Sequence, residues 1–486
     1  MLLDEIWTLS LYLAPPTNRD AGLQGSAPAP VAVWLMLSLI RQSKTRAMSS
    51  DLAMSISSLN TQNRRELMQT SLTIARESAS VYTRIYADSA LAAAAHADVL
   101  RVAGQKSSPL AGLPVSVKDL FDVEGETTLA GSIALRDAPP AQRDAVVIAR
   151  LREAGAAIIG KTNMTEFAYS GVGINPHHGT PANPVDPTRI PGGSSSGAAV
   201  SVAIGSCVAA IGSDTGGSVR IPAALCGLVG FKPTMRRVPV GGALPLAPSL
   251  DSVGPLASSV DDCLLLDELI ADTPLRVEDL SVAGLKLVIP EDVVLDAVDS
   301  QVARAFTAAV SRLSAAGAHI LELPMRLLAD AKDLYLISPY EAYPRHKALL
   351  STRGEEYDPR VVSRIMLGAQ ASSDDLDRLL KARDTWRKAL EQTIAGHDAM
   401  IMPTVPIVAP KTEALLASDE AFFEANRLLL RNTSIINLLD GCAISLPCHR
   451  EGELPVGFSF ASVAMQDARV AAIARAAEAI FAQARL

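Results

Sequence analysis

The chain is short of the residues that would mark it as disulfide-stapled, metal-bound or nucleic-acid-bound. Five cysteines occur in 486 residues, at Cys207, Cys226, Cys263, Cys442 and Cys448. The count is odd and no CxxC is present, which argues against a disulfide framework or a zinc site. A reducing compartment, the cytoplasm, is the expected location. None of the seven histidines sits in an HExxH, and the adjacent His177 and His178 suit a loop better than a metal-binding helix face, so no metal is expected. Positive charge is also in deficit. The 44 Lys and Arg against 52 Asp and Glu leave a net charge of −8, whereas a general nucleic-acid binder needs a basic surface to displace counterions. Long apolar runs are missing too. The longest near the start, residues 30–40, is far below the ~20 residues that cross a bilayer. Asp4 and Glu5 precede it where a signal peptide would be basic. Neither an export signal nor a membrane partner is expected.

What is present is ordinary core material, 49% hydrophobic and 20% charged. The length allows about three domains or one large α/β domain. Residues 1–47 read differently from the rest, and Met48 opens a Ser-rich, cap-like stretch. The expected division is an N-terminal extension, 1–47, and a single domain, 48–486. Residues 60–103 are rich in Ala, Leu and Arg and predict one helix capped by Asn60 or Thr61. Leu113–Asp119 alternates Val115 and Val117 with Ser116 and Lys118, which predicts a strand with one apolar face. A helix over 143–154, a strand over 156–159, a loop over 171–193, a helix over 196–204 and a strand over 207–211 follow. Later strands are expected at 285–289, 318–322, 399–402, 443–446 and 456–461, and helices near 258–271, 299–315, 375–395, 419–437 and 466–484. Such alternation predicts an α/β fold with a mixed, largely parallel sheet covered by helices. Residues 325–395 are mostly helical and more charged, a helical excursion from the core.

Two motifs attract attention and fail on context. Gly155–Thr162 satisfies GxxxxGK[ST], but a helix precedes Gly155 and the residues between the glycines are apolar and strand-like. A phosphate loop needs the opposite order, so the glycines are read as element ends. Gly193–Gly197 satisfies GxSxG, the nucleophile elbow of α/β-hydrolases, which must follow a strand directly. Here prolines at 184, 187 and 191 precede it, and they are unsuited to a central strand. The later histidines, His319, His346, His397 and His449, stand in no distinctive loop.

Three elements remain: Lys118 on its strand, the run Gly192–Gly197, and the run Gly212–Pro222. Taken singly, a lone lysine is usually a solvated charge and Gly-Ser runs are usually turns. Together they make chemical sense. A serine hydroxyl needs a base and needs donors aimed at the oxyanion it creates. Gly216-Gly217 before Ser218 allows a tight turn in which the amides of Thr215, Gly216, Gly217 and Ser218 converge. A helix start follows, with Pro222 in its first turn. No histidine lies in this block, but a buried lysine loses its proton readily, and Lys118 on an apolar strand suits that role. A serine of the 192–197 loop would relay the proton.

At this point the chain resembles the amidase signature family. The matching runs are Pro191–Gly197, Gly212–Ala224 and Cys226–Thr234, with Gly112–Asp119 and Gly160–Ala168 upstream and a weaker match at Leu454–Phe458. The resemblance covers about residue 55 to the end. It implies that Ser218 is the acylated nucleophile, Lys118 the base, and Ser194 the bridging serine, preceded by a cis peptide bond. It further implies an oxyanion hole at Thr215–Ser218 and an acyl pocket near Met164, Phe167, Tyr169 and Ser170. The implied activity is hydrolysis of a small-molecule amide to a carboxylate and ammonia or an amine, with no metal or organic cofactor. Two other readings stay open. One is the glutamine-hydrolysing component of an aminoacyl-tRNA amidotransferase, although Ile221 stands where that component more often carries Gln. The other is a non-catalytic binding protein on the same fold. Asp214 is read as ordering the Gly loop. Arg220 is read as either a carboxylate binder or a structural support, and the oligomeric state, a homo-oligomer included, is left open.

Overall fold

The computed structural model describes residues 56–59 and 62–482. The expected 1–47 extension and the cap at Asn60 or Thr61 lie outside the described residues. The domain is built on one sheet of eleven strands: β1 Tyr82–Ile85, β2 Pro114–Lys118, β3 Ala157–Thr162, β4 Ala209–Asp214, β5 Val229–Lys232, β6 Ser252–Ala257, β7 Lys286–Pro290, β8 His319–Leu323, β9 Ala399–Pro403, β10 Cys442–Pro447 and β11 Gly457–Ser462. Their order across the sheet is β1-β3-β2-β4-β6-β5-β10-β11-β9-β7-β8.

Hydrophobic alternation places the sheet between two cores. On β3, Ile158 belongs to one apolar cluster and Ala157 and Ile159 to the other; on β4, Ile211 and Ala210 divide in the same way. The sheet is mixed, but less parallel than the alternation of elements predicts. Among the described residues β3–β2, β2–β4, β9–β7 and β7–β8 pair in parallel, and the other six neighbouring pairs are antiparallel. The parallel pairs form two wings, and the antiparallel strands β6, β5, β10 and β11 join them.

The single helix expected over 60–103 is broken by β1. Helices run over Arg64–Glu77 and Ala87–Val102, and Asn63 caps the first by accepting the Glu66 N–H at 3.1 Å. Ser80, with φ of 62°, ends the helical stretch. The β-prone Val81, Tyr82, Thr83 and Ile85 then favour an edge strand. β1 sits so close to β3 that a Cβ on Gly160 would lie 2.2 Å from the Arg84 carbonyl oxygen. β5 and β6 were also unforeseen. β5 has only four residues, and β6 carries Gly254 and Pro255 in its middle, residues that ordinarily mark a turn.

The helical stretch Arg326–Thr393 leaves the sheet and returns to it, and Trp386 Nε1–H pins it by donating to the Leu327 carbonyl at 2.7 Å. No helix of the described residues is long and apolar enough to cross a membrane. The five cysteines are buried free thiols.

Candidate active site

β2 carries Lys118 at its C-terminal end, where the pleat turns the side chain away from the Val115–Val117 core. Lys118 is 0% exposed. Its Nζ donates to Ser194 Oγ at 2.7 Å and to Ser213 Oγ at 2.8 Å. No carboxylate pairs with it among the described residues. Burial pushes its pKa down to about 7, and the negative charges of Asp214 and Asp251 oppose the fall only in part.

Ser194 stands in the Pro-Gly loop before the helix Ser196–Ala203. Gly192 has φ of 77°, and the Gly193–Ser194 peptide is cis. A Cβ on Gly193 would lie 2.8 Å from the backbone nitrogen of Gly173, so only glycine passes there. The Gly193 N–H donates to the Gly171 carbonyl at 2.8 Å, and the Ser194 carbonyl accepts the Thr165 N–H at 3.1 Å. The neighbouring serines tie the loop down. The Ser195 N–H donates to the Ser218 carbonyl at 3.3 Å, and the Ser196 hydroxyl donates to the Asn163 carbonyl at 3.4 Å.

The third element is the turn from β4 into the helix Arg220–Cys226. Its acceptors are drawn back into the protein. Thr433 and Ser434 hydroxyls donate to the Gly216 carbonyl at 2.6 and 3.0 Å, and Ser252 Oγ and Asn437 Nδ2 donate to the Asp214 carbonyl at 2.8 and 3.0 Å. Its amides are left over: among the described residues none of the N–H groups of Thr215, Gly216, Gly217 or Ser218 donates to a protein acceptor. Gly217 takes φ of 131°, and a Cβ there would meet Thr433 Oγ1 at 2.1 Å. Ser218 is 4% exposed, and its hydroxyl makes no hydrogen bond among the described residues. It faces a cavity of about 690 Å³ lined in part by Tyr169, Ser170, Thr215, Gly216, Leu246 and Arg364.

Asp214 and Arg220 form a buried pair beneath this turn. Arg220 Nε and Nη2 donate to the two Asp214 oxygens at 3.0 and 2.9 Å, and Nη2 also reaches the Thr433 carbonyl and Asn437 Oδ1. Burial alone would raise the Asp214 carboxyl, but Arg220, Lys232 and Asn437 bring it down to about 2. Arg220 is therefore a support for the loop and not a free carboxylate binder. The same logic disposes of the GxxxxGK[ST] match, since Lys161 is buried against Asp119 at 3.1 Å.

Of the four residues expected near an acyl pocket, Tyr169 and Ser170 line the cavity and Met164 and Phe167 do not. Phe167 instead packs against His346 and Tyr357, with centroids 4.6 and 4.9 Å apart, while Met164 is fully buried. Positive φ at Phe167 and Ala168 explains the split, because the kinked backbone sends Phe167 into the core and delivers Tyr169 to the cavity.

Several site residues escaped the sequence reading. Ser213 is the second partner of Lys118. Asp251 accepts the Thr215 hydroxyl at 2.6 Å, and burial pushes its pKa up to about 6. Thr433, Ser434 and Asn437 come from the helix Asp419–Leu438, where a polar run interrupts an apolar stretch; that run was the available signal. Among the described residues no group of three His, Cys, Asp or Glu is arranged to hold a metal ion.

Residues 66–471 match the Amidase family model. The chain is 37% identical over 415 residues to the 2-amino-5-chloromuconic acid deaminase of Comamonas testosteroni, covering 81% of this chain and 87% of that protein. It is 36% identical over 409 residues to the GatA-type component of the Glutamyl-tRNA(Gln) amidotransferase of Moorella thermoacetica, covering 76% and 83%. Among solved structures, an amidase superposes with a TM-score of 0.79 and 32% identity over 90% of this chain and 99% of that one. The corresponding Glutamyl-tRNA(Gln) amidotransferase component of Thermotoga maritima superposes with a TM-score of 0.74 and 28% identity over 87% and 94%.

Proposed function

The chain belongs to the amidase family, and from that premise we propose that it hydrolyses the carboxamide bond of a small-molecule amide through an acyl-enzyme on Ser218. The observation that carries this reading is the buried Lys118 amine, 2.7 Å from Ser194 Oγ, with its pKa brought down to about 7 by burial. An amine half-deprotonated near neutrality is a competent general base.

Neutral Lys118 accepts a proton from Ser194 as Ser194 accepts one from Ser218. The Ser218 hydroxyl, with no hydrogen-bond partner among the described residues, turns toward Ser194 and attacks the bound carbonyl. The amides of the Thr215–Ser218 turn, unpaired among the described residues, receive the developing oxyanion. Ser194 then protonates the departing nitrogen with the proton held on Lys118, and ammonia or an amine leaves. Water follows the same path in reverse and releases the carboxylate. Every proton is returned, so the cycle calls for no cofactor.

The test is a panel of aliphatic, aryl and dicarboxylic-monoamide substrates scored for ammonia release. Hydrolysis is expected for at least one class and is expected to vanish in Ser218→Ala. Turnover near the wild-type rate in that variant sinks the assignment. A second reading, as the glutamine-hydrolysing component of a larger complex, is favoured by the relatives named as amidotransferase components. Glutaminase activity that rises strongly on adding tRNA and a partner protein would favour that reading.

A further inference from the structure

We infer that Thr433 and Ser434 are positioning residues for amide hydrolysis: their hydroxyls hold the Gly216 carbonyl back and so keep the Gly217 N–H turned toward the oxyanion. The inference rests on the amide-hydrolase reading above and adds the side chains that keep its oxyanion site in shape.

The Thr433 hydroxyl donates to the Gly216 carbonyl at 2.6 Å, and the Ser434 hydroxyl donates to the same oxygen at 3.0 Å. Both residues lie inside the helix Asp419–Leu438. A hydroxyl within a helix ordinarily donates to a carbonyl of the preceding turn. Such carbonyls are within reach of Thr433 Oγ1, Leu430 at 3.4 Å and Leu429 at 3.5 Å, but the short bond leads out of the helix. Ser434 Oγ has no other acceptor among the described residues. Two adjacent buried hydroxyls, 217 and 218 positions further along the chain, thus converge on one carbonyl oxygen.

That oxygen needs holding. The Gly216 C=O and the Gly217 N–H belong to one peptide plane. Gly193–Ser194 is the one cis bond among the described residues, so this plane is trans and its C=O and N–H point in opposite directions. Drawing the carbonyl onto the two hydroxyls therefore sends the Gly217 N–H the other way. Glycine on both sides makes the plane easy to turn over, because neither residue carries the Cβ that restricts rotation, and Gly217 already sits at φ of 131°. Turned over, the plane would present a carbonyl dipole where the oxyanion needs a donor. The next carbonyl, that of Gly217, is held by the Ile221 N–H at 2.7 Å as the helix begins. Gly216 has no backbone donor among the described residues and depends on the two hydroxyls. A Cβ on Gly216 would lie 3.0 Å from Ser434 Oγ, so the glycine that frees the plane also lets the hydroxyl approach.

The experiment measures kcat and KM, by ammonia release from the full chain, with butyramide, benzamide and glutaramic acid. Thr433→Ala and Ser434→Ala should each lower kcat about tenfold, and the double variant about 100-fold, the loss of one whole oxyanion donor, with KM within about threefold of the wild type. Thr433→Ser differs from Thr433→Ala by the hydroxyl alone and should stay within about threefold of the wild-type kcat. The acid limb near pH 7 should stay in place in every variant, because the hydroxyls act on the oxyanion and not on Lys118. Benzeneboronic acid gives a reading independent of turnover, since its tetrahedral adduct on Ser218 carries an oxygen where the oxyanion forms. The double variant should bind it at least about 30-fold more weakly, while the same two substitutions should change benzamide binding to Ser218→Ala by less than about threefold. Wild-type kcat in the double variant, or equal losses in Thr433→Ser and Thr433→Ala, overturns this inference and leaves the amidase reading standing. Equal weakening of benzeneboronic acid and benzamide, a displaced acid limb, or a loss of kcat that only tracks a lowered urea midpoint overturns it as well. Absence of any Ser218-dependent ammonia release overturns the amidase reading, and this inference with it.

Discussion

Replacing Lys118 by methionine separates what the fold prefers from what the chemistry needs. The side chain is fully buried, and its pKa falls from 10.5 to about 7. At ~1.4 kcal/mol for each tenfold in the ionisation constant, that fall is roughly 5 kcal/mol against the ammonium. The sign follows from proton counting. The unfolded chain keeps its proton up to the ordinary lysine value, while the folded chain gives it up near 7, so between those values the unfolded state binds more protons and stability rises with pH. Lys118→Met removes that cost and keeps a side chain of similar length. It also loses hydrogen bonds to Ser194 and Ser213, worth roughly 1 kcal/mol each, more where a hydroxyl is left unpaired. The expected net is about 2 kcal/mol of added stability at pH 7. The advantage should shrink steadily toward pH 10, because the wild type loses its penalty there. Urea unfolding at a series of pH values measures this. Turnover should move the other way, with kcat/KM falling about 1,000-fold. In the wild type, the neutral fraction should rise from about one-eleventh at pH 6 to about ten-elevenths at pH 8, a tenfold acid limb centred near 7. A variant that is less stable at pH 7 than the wild type, or that keeps the acid limb, refutes the argument that Lys118 is a strained base.

Two further variants probe the turn that carries Ser218. Gly217→Ala places a Cβ 2.1 Å from Thr433 Oγ1 on a backbone of φ 131°; it should cost about 2–3 kcal/mol and depress kcat more than KM. An unfolding curve matching the wild type would show that the loop can relax. Arg220→Leu strands the buried Asp214 carboxylate and should cost about 3–5 kcal/mol, with the loss easing at low pH as Asp214 protonates; a change below about 1 kcal/mol would mean that Asn437 and Lys232 suffice to hold it.

The parts of this protein that were readable from its sequence are those governed by neighbours along the chain. β2, with its alternating valines, and the helices Val260–Ile270, Ser300–Ala315 and Asp419–Leu438 lie within a few residues of where hydrophobic period and capping put them. The glycines and serines around Ser194 and Ser218 were visible for the same reason, since a backbone that must turn without a Cβ leaves glycine in the sequence. β1 was lost inside an apparent helix, and β6 was hidden by Gly254 and Pro255. In both cases pairing with a distant strand decided the conformation against local preference.

The chemistry divides along the same line. Composition and motif name a lysine and two serines, but nothing within their own segments makes the lysine a base. That follows from the packing of β2 between β3 and β4 and beside the loop before the helix Ser196–Ala203, which removes water from Nζ while β4 supplies the Ser213 hydroxyl, the loop supplies that of Ser194, and no carboxylate among the described residues pairs with it. The distant helix Asp419–Leu438 draws in the Gly216 carbonyl while the turn's amides stay unpaired among the described residues, and the excursion Arg326–Thr393 brings Arg364 to the cavity wall. Sequence alone determined which groups the protein owns and where its backbone can bend. Their ionisation and their exposure to a substrate were set by tertiary burial, because solvation depends on everything packed around an atom and not on the residues beside it in the chain.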